Sequence, residues 1–297
     1  MPELPEVETV LQGLRKRVLR RKILKVVVEN PRSIRPERSK NFARQITGKT
    51  ILGLSRTGKW ICFHLTDGIN LWAHLGMTGR FLWNKPDSYT RVLFVLGEVV
   101  QGVPTVKFRD DAIIPANAGI QTSDYSKTAT LYFSDIRTLG RMIVTLSGSR
   151  EPPGVTLGID PINDELTGKY LWDRFRNHAA AIKDMLLNQA IIAGIGNIYA
   201  TEILFDAKLH PLRQANSLSK KECTILAKCT VSCMQHAIRY GGTTISDFLT
   251  LDGDPGGFEE HIRIYGKQGT PCPECGTTLV RYVLHQRSGV FCPKCQH

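Results

Sequence analysis

From Pro5 to about Arg20, apolar Val7, Val10, Leu11, Leu14 and Val18 recur at intervals of three and four, the stripe of an amphipathic helix. Pro5 suits the first helical position, Glu6 and Glu8 lie in the first turn, and Arg15, Lys16, Arg17 and Arg20 crowd the far end. That order of charge complements the helix dipole. The texture then changes to short segments rich in β-branched and aromatic residues: Ile23 to Val28, Trp60 to Leu65, Ile69 to His74, Arg91 to Leu96, Thr130 to Phe133 and Met142 to Leu146. Asp67-Gly68, between two of them, is a hairpin turn signal. Residues 1–148 therefore read as one helix followed by an antiparallel β-sandwich or barrel, with residues 97–128 an irregular excursion to which no function is assigned. Residues 149–164 fall in a run rich in Gly, Pro and Ser and read as a linker. From 165 to 263 the pattern is helical, and Ser219-Lys220-Lys221-Glu222 is a capping box for a helix that ends near Tyr240 at Gly241-Gly242. The tail, 264–297, is rich in Gly, Cys and aromatics, too small to own a hydrophobic core, and needs a staple. The fold class is α+β and multidomain.

The composition, 42% hydrophobic and 22% charged over 297 residues, excludes intrinsic disorder, collagen-like repeats and a disulfide-built miniprotein. No run of 18 apolar residues occurs, and MPELPEVETV lacks the basic and apolar regions of a secretory signal, so a cytoplasmic location is expected. The net charge of +12 points to a polyanionic partner. It is concentrated: residues 1–60 hold fifteen Lys and Arg against five Glu and no Asp. Nucleic acid fits best, because phosphate contacts release counterions. An anionic membrane surface is the competing target, but no helix shows the Trp or Phe face that interfacial anchoring requires.

Four of the eight cysteines, Cys272, Cys275, Cys292 and Cys295, form C-x2-C-x16-C-x2-C. Two such knuckles complete a tetrahedron of thiolates around Zn2+, and four thiolates leave no open position for a catalytic water, so the expected ion is structural. It would hold a hairpin over residues 276–291 that carries Arg281, His285, Gln286 and Arg287. Cys62, Cys223, Cys229 and Cys233 lack partner spacing and read as buried small hydrophobes. In IIAGIGNIYATE, Gly194 and Gly196 precede Asn197 at a helix start. Two readings stand: a phosphate grip built from backbone N–H groups and the Asn197 side chain, or a tight packing turn that needs glycine.

The start MPELPEVETV, HLGMTG (His74 to Gly79), GIGNIYATE (Gly194 to Glu202), DFLTLDGDPGGF (Asp247 to Phe258) and the terminal four-cysteine ribbon with HQRSGVFC together resemble the formamidopyrimidine-DNA glycosylase family, the Fpg/Nei group of bacterial base-excision enzymes. The resemblance implies a bifunctional glycosylase and AP lyase with an N-terminal β-sandwich, a helix-two-turns-helix module over 165–263 and a zinc finger over 264–297. Its partner is double-stranded DNA carrying oxidised bases or abasic sites; monomeric action is expected, since one lesion needs one site and the sequence shows no coiled-coil seam. With Met1 excised, Pro2 becomes the nucleophile, a secondary amine titrating far below lysine. Glu3 matches the adjacent acid/base. Lys59 matches the lysine that contacts phosphate and assists β-elimination, and Arg287 the arginine that holds the target phosphate and assists δ-elimination. Lys183 and Asn197 match DNA-contacting positions.

A base inside a duplex must be flipped out and its gap filled. Met77 and Arg137 match two family gap-fillers, and Leu139 stands where the family carries an aromatic wedge. Tyr89 stands where the family often has His, and fewer basic residues than usual precede Lys183. The full-length segment Leu249 to Phe258 favours 8-oxoguanine and formamidopyrimidines over the oxidised pyrimidines of Nei-type members. A non-catalytic zinc-ribbon DNA-binding protein is the reading from a different class, opposed by Pro2, Glu3 and Lys59.

Overall fold

The structure, a computed structural model, describes residues 1–34, 36, 38–102, 128–146, 151–245 and 248–297. Most of the expected excursion over 97–128, and Asp247 of the motif Asp247 to Phe258, lie outside the described residues. The chain divides into two compact units, Met1–Val155 with Thr243–Gly256, and Thr156–Gly242 with Gly257–His297. Residues 243–256, which follow the helical pattern in sequence, thus pack with the N-terminal unit.

That first unit opens with helix α1 (Leu4–Val18), followed by β1 (Arg21–Val28), α2 (Ser39–Ile46), β2 (Ile51–Thr57), β3 (Trp60–Leu65), β4 (Ile69–His74), β5 (Gly79–Trp83), β6 (Thr90–Val99), β7 (Ala129–Asp135) and β8 (Arg141–Leu146). The strands form two four-stranded antiparallel sheets, β1-β6-β7-β5 and β2-β3-β4-β8. Asp67 and Gly68 turn the chain between β3 and β4 with φ of 58° and 67°, left-handed conformations that Gly and Asp tolerate. One apolar cluster fills the sandwich, from Ile23, Phe63 and Phe81 to Phe94, Leu131 and Phe133, and the α1 stripe Val7, Val10, Leu11, Leu14 and Val18 belongs to it. Each such side chain contributes roughly 1.5–3 kcal/mol by leaving water. Because α1 covers β2 and β3, β3 is buried along nearly its whole length rather than at alternate positions.

The second unit contains α3 (Gly168–Phe175), α4 (Ile182–Leu187), α5 (Asn197–Asp206), α6 (Lys220–Arg239) and the hairpin β9 (Val280–Leu284) and β10 (Arg287–Phe291). The capping box at Ser219 and Glu222 starts α6 as expected. Gly241 and Gly242, at φ of 75° and 77°, end it, with the Gly242 N–H donating to Ala237 O at 2.9 Å. The ribbon contributes Cys272, Leu279, Val290 and Cys292 to a small cluster completed by Phe205 of α5 and Ile264, with Cys275 and Cys295 packed against it. Glu202 of α5 anchors its approach, accepting from the backbone N–H groups of Arg263, Ile264 and Tyr265 at 2.7–3.1 Å. Burial pushes the Glu202 carboxyl above the usual carboxylate range, against the pull of those N–H donors. Among the described residues no helix is long and apolar enough to cross a membrane.

Candidate functional site

Pro2 and Glu3 are buried at the head of α1, whereas Met1 is half exposed. Glu3 and Glu6 form a capping box, in which the Glu3 N–H donates to Glu6 Oε2 at 2.7 Å. The other oxygen, Glu6 Oε1, accepts from the Thr243 N–H at 2.7 Å, so one carboxylate fastens both the N-terminal residues and the start of segment 243–256. Glu6 is therefore more than a dipole partner. Glu8 is too: its Oε2 accepts from Arg56 Nε at 2.7 Å, with both side chains at most 1% exposed.

Lys59 sits in the two-residue turn Gly58-Lys59 between β2 and β3, where Thr57 pairs with Trp60, and only 7% of it is exposed. His74, at the end of β4, lies against the Trp60 ring at 4.8 Å. Burial, and then the positive charges of Arg141 and Lys59, push the His74 imidazole down to about 4. The ring is thus neutral, and its Nδ1 accepts from the Gly76 N–H at 3.0 Å, which opens the turn carrying Met77.

Met77, Arg137 and Leu139 come together on two touching turns. Buried Asp135 organises them: its Oδ1 accepts from Thr78 Oγ1 at 2.5 Å and from the Arg137 N–H at 3.2 Å, and its Oδ2 from the Gly140 N–H at 2.6 Å. Gly76 permits the approach, since a Cβ there would lie 2.6 Å from Gly140 N and from Leu139 C, at a φ of +64°. Out of this frame project Met77 and Leu139, 40% and 54% exposed, while Arg137 Nη1 reaches Met77 Sδ at 3.8 Å. A rigid base with apolar tips facing water is what a wedge into stacked bases requires.

In the second unit the expected residues also converge. Lys183, in the first turn of α4, is fully buried with Nζ 4.8 Å from the centre of the Tyr282 ring. Gly289 of β10 makes room, because a Cβ there would meet Lys183 Nζ and the Tyr282 hydroxyl at 2.5 Å. Asn197, first residue of α5, donates from Nδ2 to Ser288 O at 2.9 Å, which spends its amide on the ribbon hairpin. Arg287 is exposed and pairs with Leu284 across the turn His285-Gln286. His285 Nε2 lies 3.2 Å from Asp184 Oδ2, a tie from that turn to α4. Gly194, at φ 98°, donates its N–H to Gln189 Oε1 at 2.9 Å, so that N–H is held within the turn.

The Sγ atoms of Cys272, Cys275, Cys292 and Cys295 all lie within 4.8 Å of one another. Zn–S bonds of about 2.3 Å in a tetrahedron place sulfurs about 3.8 Å apart. The Cys272–Cys295 and Cys275–Cys292 separations, 4.0 and 3.4 Å, bracket that spacing, so the residues fit one structural Zn2+ with every position filled. Cys62, Cys223 and Cys233 are buried, as expected, and Cys229 partly so.

Sequence reasoning missed Glu6 and Glu8 as ligands of distant groups, and Thr78, Asp135, Arg56, Thr243 and Tyr282. Only Asp135 carried a local signal, an acidic residue opening the turn Asp135 to Gly140 with backbone N–H groups in reach. The others act through partners tens to hundreds of residues away.

Three family models match the chain: the formamidopyrimidine-DNA glycosylase N-terminal domain over residues 1–142, the formamidopyrimidine-DNA glycosylase H2TH domain over 157–249, and a zinc finger found in FPG and IleRS over 269–297. A formamidopyrimidine-DNA glycosylase of Desulfitobacterium hafniense is 33% identical over 302 residues, covering 100% of each chain. Among solved structures, the Lactococcus lactis Fpg (MutM) in complex with a Fapy-dG-containing DNA is similar at a TM-score of 0.82 and 27% identity, over 99% of this chain and 100% of that one. The Lactococcus lactis Fpg with an abasic-site-containing DNA gives a TM-score of 0.83 at 27% identity over 99% of both chains.

Proposed function

Because the chain belongs to the formamidopyrimidine-DNA glycosylase family, we propose that it is a base-excision repair enzyme. It removes oxidised purines, 8-oxoguanine and formamidopyrimidines, from duplex DNA and then cleaves the abasic site. The observation that carries this reading is the head of α1, where buried Pro2 and Glu3 are fixed through Glu6. With Met1 removed, the Pro2 nitrogen is a secondary amine whose ordinary pKa, about 7.7–8.0 for an α-amino group, leaves a useful unprotonated fraction at neutral pH. Its lone pair attacks the sugar C1′, the bond to the damaged base breaks, and Glu3 moves a proton to and from the opening sugar ring. The product is an iminium, cationic from the start because the amine is secondary. It withdraws electrons from the sugar, so that the 3′ phosphate leaves by β-elimination and the 5′ phosphate by δ-elimination. Lys59 assists the first step and Arg287 holds phosphate for the second. Met77, Arg137 and Leu139 fill the gap left by the flipped nucleotide, and Lys183, enclosed against the Tyr282 ring, and Asn197, donating to Ser288 O, support the ribbon hairpin that meets the phosphate backbone. The zinc is structural and takes no part in the chemistry. One copy of the chain suffices for one lesion, in the bacterial cytoplasm where the DNA lies.

Borohydride trapping on 8-oxoguanine opposite cytosine tests the reading. A covalent adduct is expected, with mass spectrometry placing the sugar remnant on Pro2, and Pro2→Gly should abolish or severely slow its formation. Preferential excision of 5-hydroxyuracil would reassign the substrate to oxidised pyrimidines. No adduct with Met1 fully removed would leave a DNA-binding protein without the chemistry.

A further inference from the structure

The β2–β3 turn that carries Lys59 is held by a network centred on the buried pair Glu8 and Arg56. Arg56, on the strand entering the turn, sends its guanidinium in two directions: Nη1 donates to Gly58 O at 3.1 Å, and Nε donates to Glu8 Oε2 at 2.7 Å. Glu8 Oε1 is taken by Gln12 Nε2 at 3.2 Å, one helical turn further along α1. Gly58 precedes Lys59 and has a φ of 57°, so the carbonyl that Arg56 grips belongs to the turn itself. A second tie, Arg15 Nη2 to Leu54 O at 2.8 Å, fastens α1 to the same face of β2 two residues earlier.

A buried ion pair is weak evidence of stabilisation, since desolvation of both charges can exceed their attraction, and a well-packed apolar pair of similar volume is often as stable or more so. The Glu8–Arg56 pair is wholly enclosed, with side chains 1% and 0% exposed. Its distinctive property is geometric: one planar fork joins the helix whose head carries Pro2 and Glu3 to the carbonyl beside Lys59. We propose that Arg56, held by Glu8, is a positioning residue for the elimination step, fixing the Gly58-Lys59 turn on α1 so that the Lys59 ammonium is set relative to the N-terminal nucleophile. This rests on the role assigned to Lys59 above. A lysine at position 56 would keep the charge opposite Glu8 but could not make both contacts, because a single ammonium lacks the fork.

Single-turnover cleavage of abasic-site duplex by the full chain, Met1 removed, tests this with Arg56→Lys, Lys59→Ala and their combination. Misplacing a reacting group by about 1 Å can cost up to 100-fold, so Arg56→Lys should slow β-elimination by about 10- to 100-fold. In the Lys59→Ala background the same substitution should produce no further loss, because its effect passes through Lys59. The double replacement Glu8→Leu with Arg56→Met keeps the core filled; it should retain the melting temperature and still lose elimination. A general structural role predicts losses that add, and a fall in stability that accompanies them. Full elimination by Arg56→Lys, additive losses, or a silent Lys59→Ala would each overturn the inference. Failure of the underlying functional reading looks different, as an unaltered protein that forms no borohydride adduct.

Discussion

Replacing Gly76 by alanine separates backbone strain from the close approach of two turns. The residue has a φ of +64°, and an added Cβ would meet Gly140 N and Leu139 C at 2.6 Å and Leu139 O at 2.8 Å. All three are backbone atoms, which cannot swing aside. A left-handed conformation costs a residue with a Cβ roughly 1–2 kcal/mol, and overpacking adds about 1–3 kcal/mol, so Gly76→Ala should destabilise by about 2–5 kcal/mol. Gly48 provides the control, with a φ of +85° and nothing within 4 Å of its ideal Cβ; Gly48→Ala should show the conformational part alone. In a unit of this size 1 kcal/mol shifts the melting temperature by about 2–4 °C, well within calorimetric reach. The larger effect should be functional. Relief of the clash moves the turn from Asp135 to Gly140, which disturbs the N–H donors of Arg137 and Gly140 on Asp135 and so the alignment of Met77, Arg137 and Leu139. With 2-aminopurine placed opposite the lesion, the fluorescence rise that reports unstacking should be delayed in Gly76→Ala and normal in Gly48→Ala. Equal stability losses in the two variants, or an unaltered fluorescence rise in Gly76→Ala, would refute the reasoning.

Other outcomes follow from the same geometry. His74 is held neutral, its pKa pushed down to about 4 by burial and by Arg141 and Lys59, below the value near 6.5 of the unfolded chain. The unfolded state therefore binds the extra proton first, so this contribution is complete above pH 6.5 and is lost as pH falls toward 4. It amounts to about 3 kcal/mol. Urea melts across that range should show a slope that His74→Asn flattens, and an unchanged slope would remove His74 as its source. Stripping zinc with a strong chelator should abolish tight DNA binding while the far-ultraviolet spectrum keeps most of its helix and strand signal; full affinity without metal would contradict the staple assigned to Cys272, Cys275, Cys292 and Cys295. Base–aromatic stacking is worth about 1–3 kcal/mol, so Leu139→Phe should tighten binding to abasic-site DNA several-fold and sharpen discrimination of the opposite base in excision assays. Unchanged affinity would mean that position 139 does not enter the duplex.

Periodicity made α1, α6 and most strands legible because their partners' demands agree with local pattern. It failed at β2, where Gly53, Ser55 and inward-pointing Arg56 replace the apolar alternation with polar and small residues. It failed at α2, whose eight residues bury only Phe42 and Ile46. The candidate site residues were reached through motifs, and the cysteines through their spacing. What held them in place was not: Glu6 to Thr243 spans 237 positions and Glu8 to Arg56 spans 48, and a carboxylate in a helix looks the same whether it faces water or a distant guanidinium. Lys183 illustrates the same gap. Its identity pointed to phosphate, yet its full enclosure against the Tyr282 ring and under Gly289 depends on the zinc hairpin folding over it.

The first unit is discontinuous in the chain, because residues 243–256 return to it after the chain has built most of the second. Leu251 sits in its core cluster and would be 3.2 Å from any Cβ at Gly13 of α1. On the ribosome, then, the half that carries Pro2 cannot be finished when residue 155 emerges; it waits for the translation of about a hundred more codons, some 5–20 s at ordinary elongation rates. Until then Glu6 lacks its long-range donor, and the head of α1 stays unassembled among the nucleic acids that surround its own synthesis.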